Sequence, residues 1–93
     1  MRTQEIRIAD IKILNRLRKI NDSKVDELTD SIKQVGLLHP LVVAKKDNSF
    51  LLLSGNHRLK SYEKLGYETI PAVVKDDDAT INQLVEVSEN LIS

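Results

Sequence analysis

The chain has 93 residues, 41% hydrophobic and 30% charged, with 14 Lys plus Arg against 14 Asp plus Glu. That is enough for one soluble domain with a modest core, and too little for two. Zero net charge argues against a strong general DNA binder, which needs many cations for the phosphate backbone; the absence of cysteine excludes a disulfide framework, a thiolate nucleophile and a zinc ribbon.

The elements follow in chain order. "EIRIADIKIL" alternates in part, which predicts a strand over 4–8 and then an extended connection. "RLRKI", residues 16–20, is a basic loop. Asn21, Asp22 and Ser23 are N-cap candidates, and Ser23 with Asp26 has the spacing of a capping box. Val25, Leu28, Ile32 and Val35 form one apolar helical stripe, which Gly36 ends. Pro40 belongs at the start of a strand over 41–45, "KKDNS" is a turn, and Phe50 to Leu53 return as a buried strand. Leu59, Tyr62 and Leu65 mark the inner face of a short helix closed by Gly66. "TIPAVV" is a further strand. Asp76 to Asp78 cap a final helix whose inner face is Ile81, Leu84, Val85, Ser88, Leu91 and Ile92. The order β-α-β-β-α-β-α gives a compact α+β domain over residues 1–93, a small mixed sheet flanked by three helices.

The charge is uneven. Arg2, Arg7, Lys12, Arg16, Arg18, Lys19 and Lys24 crowd the first quarter, and from Asp76 onward there are acids and no basic residue. Ordinary surface charge explains this pattern; so does a basic and an acidic wall around a charged ligand. Met1 to Asp10 lacks the apolar core of a signal peptide and no apolar run approaches a membrane span, so the chain reads as cytoplasmic.

Chemistry concentrates at "SGNHR". Ser54 and Gly55 end an apolar strand, and Asn56, His57 and Arg58 open a helix. A helix N-terminus offers unpaired N–H groups and partial positive charge, and glycine lets a ligand approach the backbone. Arg58 can fork two phosphate oxygens, His57 can donate or act as acid or base, and Asn56 can donate through its amide. The pattern is an anion site, most simply for phosphate; an ordinary helix start with Arg58 paired to an acid has the same residues. Glu89 and Asn90 supply a carboxylate and an amide oxygen that suit Mg²⁺ beside substrate phosphates, or simply a solvated helix face. His39 beside Pro40 reads alone as a half-buried structural histidine.

In order, these pieces resemble ParB-family N-terminal domains. "LRKINDSKVDELTDSIKQVGLLHPLVV" is similar to that family's basic loop, amphipathic helix and "G-L-x-x-P-L-x-V" segment. "LLLSGNHRLKSYEKLGYETIPAVV" is similar to its strand, "G-x-x-R" box, helix and "G-x-x-x-I-P-x-x-V" strand, and "VSENL" to its closing "ENL". The resemblance implies a ParB/sulfiredoxin-type fold and a pocket for CTP or another NTP, such as ATP, with Mg²⁺. Ser54, Gly55, Asn56, His57 and Arg58 would then hold the phosphates, and Arg18 and Lys19 would close over them. Gly36, Leu37, His39 and Pro40 would border base or phosphates, and Glu89 and Asn90 would meet the metal. Such a domain is a switch in DNA partition, plasmid, phage or transcription-related processes. Nucleotide is the implied partner, with DNA reached through a separate module and homodimerisation as a further expectation.

Partition proteins usually carry "G-E-R-R" where this chain has "GNHR". Asn56 stands where sulfiredoxins place their catalytic cysteine, so sulfinic acid repair is excluded. Free-serine kinases of the superfamily carry a box like "D-G-H-H-R", from which this chain departs at Ser54 and Asn56. The "H-R" ending nevertheless resembles relatives that do phosphoryl chemistry, so the alternative function is a metal-dependent nuclease, nucleotidase or phosphotransferase, with His57, Arg58 and Glu89 as its catalytic residues.

Overall fold

The computed structural model describes residues 3–36 and 39–75. Strand β1 is Gln4–Arg7 and β2 is Ile11–Lys12, helix α1 is Asp22–Val35, and strands β3 and β4 are Leu41–Lys46 and Ser49–Ser54. Helix α2, Asn56–Lys64, and strand β5, Thr69–Lys75, follow. Single 3₁₀ turns cover Ile8–Asp10 and Asn15–Leu17.

The sheet order is β1-β5-β3-β4-β2. The β1/β5 and β3/β4 pairs are antiparallel, and β3/β5 and β2/β4 are parallel, so the sheet is mixed as expected. The hairpin β3–β4 turns through Asp47 and Asn48, with Asp47 at φ 55°. A short polar residue tolerates that left-handed conformation, which suits the twist of a two-residue hairpin.

Alternation along the strands sorts side chains between the two faces. Leu41 and Val43 of β3, Leu52 of β4, Ile70 and Ala72 of β5 and Ile6 of β1 join Ile32, Leu59 and Tyr62 in the main core. Ala44 and Leu51 form a smaller cluster with Leu14 and Leu53. Burial holds the Tyr62 phenol above its ordinary pKa, with Tyr67 and Glu5 adding to the effect. The Tyr62 and Tyr67 rings stack at 4.6 Å between centroids.

Several expectations need correction. The connection after β1 is not merely extended: residues 8–10 turn as 3₁₀, and Ile11–Lys12 adds a parallel edge strand beside Phe50 and Leu51. A two-residue strand leaves too little periodicity to read from sequence. Of the three N-cap candidates Asn21 is the one that caps α1, as its Oδ1 accepts from Lys24 N at 3.2 Å. The Ser23–Asp26 capping box does not form at that position, and Asp26 instead pairs with Lys64 of α2 at 3.0 Å. The stripe on α1 also narrows. Val25 and Ile32 are buried, but Val35 is 63% exposed because the helix outruns the core there. The third helix falls outside the described residues.

The two helices meet at Ser61, which is fully buried. Its Oγ lies 3.1 Å from Val25 O and 3.0 Å from His57 O, so one hydroxyl hydrogen is shared between two carbonyls. A small side chain lets the helices approach closely. Ser61→Leu is expected to cost about 1–3 kcal/mol by overpacking this contact. A lower urea midpoint with unchanged slope would show it; an unchanged midpoint would mean that the helix pair has slack.

Candidate functional site

Strand β4 ends at Ser54, an exposed residue, and the chain turns into α2 through Gly55. Gly55 is the N-cap, at φ 103° and ψ 26°. A Cβ there would stand 2.5 Å from Leu41 Cδ2, so β3 packs against the turn more closely than any other residue allows. No side chain caps α2, although Leu59 N donates to Gly55 O at 2.9 Å. The first N–H groups of the helix therefore carry its positive end without a side-chain partner among the described residues.

Three consecutive side chains then reach three different backbone segments. Asn56 Nδ2 donates to Leu17 O at 2.8 Å and to Lys19 O at 3.3 Å. His57 Nε2 accepts from Asn21 N at 3.1 Å. Arg58 Nη1 donates to Pro40 O at 3.0 Å and His39 O at 3.3 Å. The junction is thus a hub that fixes the basic loop, the start of α1 and the approach to β3. The acid expected in the alternative reading of Arg58 is not what it meets among the described residues: its partners there are carbonyls. Nε and Nη2 of Arg58 have no partner among the described residues and can still fork an anion.

The His57 contact fixes its chemistry. In this contact the Nε2 lone pair is engaged by the Asn21 N–H, which leaves Nδ1 as the ring donor. The imidazole can donate from Nδ1, but while the Asn21 bond stands it has no free lone pair for general-base work.

The remaining predicted residues divide by position. Arg18 and Lys19 are exposed on the loop that Asn56 holds, and Arg18 shares a cleft of about 270 Å³ with Ile13, Leu17, Asn56, Leu59 and Lys60. His39 is exposed and Pro40 half-buried, and their carbonyls reach the site through Arg58. Gly36 caps the end of α1 at φ 83°, its N–H on Ile32 O at 2.9 Å. Glu89, Asn90 and Leu37 lie outside the described residues. Among the described residues no group of three His, Asp or Glu side chains is placed to hold a metal, and no helix is long and apolar enough to cross a membrane. Sequence reasoning missed Leu41, Leu17 and Asn21 as parts of the site. Their contribution is a side-chain contact, a carbonyl and an N–H, and no residue type signals those from a distance of many residues.

The model of the ParB N-terminal domain family matches residues 1–91. The chain belongs to that family. Within it, the domain is 35% identical over 74 residues to a probable chromosome-partitioning protein ParB of Campylobacter jejuni, covering 80% of this chain and 27% of that protein. Among solved structures it is similar to sulfiredoxin from Arabidopsis thaliana, with TM-score 0.80 and 33% identity over 89% of this chain and 96% of that one. It also superposes on the C-terminally truncated chromosome-partitioning protein ParB of Caulobacter crescentus complexed with CTP-γ-S, with TM-score 0.72 and 19% identity over 100% of this chain and 54% of that one. The ParB/sulfiredoxin fold of this ParB N-terminal domain is therefore established, and the domain spans about a quarter of the length of the curated partitioning protein it matches.

Proposed function

We propose that this ParB N-terminal domain binds a nucleoside triphosphate, CTP or a relative such as ATP, with its phosphates at the N-terminus of α2, and acts as a switch. The observation that carries this reading is the uncapped start of α2 beside Arg58, whose Nε and Nη2 have no partner among the described residues. Backbone N–H groups and a guanidinium together suit a polyanion. The CTP-γ-S complex of the Caulobacter crescentus neighbour supports a nucleotide as that anion. Within the proposal, Ser54 to Arg58 hold phosphate, Asn56 through its backbone N–H alone, Arg18 and Lys19 close over it, and Gly36, His39 and Pro40 form its border. Mg²⁺ would neutralise the phosphate charge, with Glu89 and Asn90 as its protein ligands. DNA partition or a plasmid, phage or transcription-related process is the setting, DNA would be met through a separate module, and homodimerisation would be the output.

Binding is favoured over hydrolysis by one contact. His57 accepts from Asn21 N and so lacks a free lone pair to activate water. The nuclease or nucleotidase reading needs that bond broken.

Calorimetric titration of CTP, ATP, ADP and GTP, with and without Mg²⁺, tests the reading. Saturable binding of a triphosphate strengthened by Mg²⁺ is expected, without turnover on the timescale of the titration. No binding of any of the four would overturn it. Metal-dependent turnover that vanishes in His57→Ala would replace the switch with the enzyme.

A further inference from the structure

Asn56 opens α2, yet its amide is spent elsewhere. Nδ2 donates to both Leu17 O and Lys19 O, which uses both hydrogens. Two carbonyl oxygens converge on one amide atom, and only the NH₂ end can meet both, so the orientation of the side chain follows from its neighbours. What remains is Oδ1, an acceptor, which offers nothing to a phosphate.

Leu17 packs its side chain against the main core, while Arg18 and Lys19 after it are exposed, so the backbone of the basic pair depends on hydrogen bonds. Leu17 N and Arg18 N close the local 3₁₀ turn on Leu14 O and Asn15 O. Among the described residues, no other side chain bonds the backbone of residues 17–20. His57 takes up the next N–H, that of Asn21. The same short segment carries Arg18 and Lys19, both exposed.

We propose that Asn56 is a positioning residue: it straps the basic segment 17–19 to the start of α2 and so holds the charges of Arg18 and Lys19 beside the anion site. The carboxamide is what makes the strap. An ionised carboxylate only accepts hydrogen bonds and would repel both carbonyls. Phosphate contact is left to the helix N–H groups, His57 Nδ1 and Arg58. The strap stands on the two hydrogen bonds of Asn56, and its effect on affinity rests on the nucleotide reading above.

Two experiments on the full chain test it, with folding of each variant checked by its urea midpoint. The first is trypsin digestion without nucleotide, followed by mass spectrometry. Cleavage after Arg18 and Lys19 is expected to rise about fivefold or more in Asn56→Ala, from the loss of two neutral hydrogen bonds. Cleavage after Lys45 and Lys46 should stay constant. Asn56→Asp keeps the size and favours the positive end of α2, so it folds, and it should be cut at the same two sites. Unchanged cleavage at Arg18 and Lys19 in both variants overturns the strap. The second is a double-mutant cycle on CTP·Mg²⁺ affinity. Removing both charges, Arg18→Ala with Lys19→Ala, should weaken the parent several-fold and leave Asn56→Ala unaffected. Full additivity overturns the positioning role, because a merely structural loss would add. If the parent binds no nucleotide, the nucleotide reading falls and digestion alone decides the strap.

Discussion

Gly55→Ala is expected to lower the stability of the domain by about 2–4 kcal/mol, from left-handed backbone strain and overpacking together. The backbone sits at φ 103°, where a side chain is strained. The added methyl would also meet Leu41 Cδ2 at 2.5 Å, and Leu41 is fully buried between sheet and helices, so it cannot swing aside. Gly36→Ala is the matched control. Gly36 has φ 83°, but nothing among the described residues lies within 4 Å of its would-be Cβ. It should lose only the backbone part, about 1 kcal/mol. Urea denaturation of both variants separates the contributions. Equal losses would show that the turn is not closely packed on β3, and the tight seat of α2 would have to be abandoned.

Arg58→Ala is expected to weaken nucleotide binding by about 1.5–3 kcal/mol, the range for charge-assisted hydrogen bonds to phosphate. That corresponds to about 10–150-fold in Kd. The variant also releases Pro40 O and His39 O. Arg58→Lys distinguishes these contributions. Lysine keeps the charge but not the fork that joins two carbonyls on one side to an anion on the other, so it should fall between parent and alanine. Calorimetry gives the affinities and urea midpoints give the stabilities. An Arg58→Ala protein that binds as tightly as the parent would remove the guanidinium from the site.

Much of this architecture was legible because it is periodic or punctuated. Val25 and Ile32 reveal α1, Gly36 and Gly66 stop helices, and the apolar runs around "KKDNS" reveal the hairpin. Where periodicity was too short, the reading failed: Ile11–Lys12 became a strand only by pairing with β4. Ser23 and Asp26 match a motif, but Asn21, the first of the three candidates, takes the cap through a local bond from Lys24 N, and Lys64 draws Asp26 into a contact between the helices. The site shows the same division. "GNHR" announces a helix start rich in donors, which the structure bears out. It does not announce that Asn56 and His57 spend their polar atoms on backbone 36 to 39 residues away. Side-chain type gives the capacity to bond; the fold decides the partner.

In the proposed binding mode the start of α2 receives the phosphates. Titration of the ¹⁵N-labelled chain with CTP·Mg²⁺, followed by amide chemical shifts, tests it most directly. The largest shifts are expected on Gly55 to Leu59, with smaller ones along residues 17–21, which Asn56 and His57 hold. Saturable shifts confined to other segments, with Gly55 to Leu59 unmoved, would contradict it.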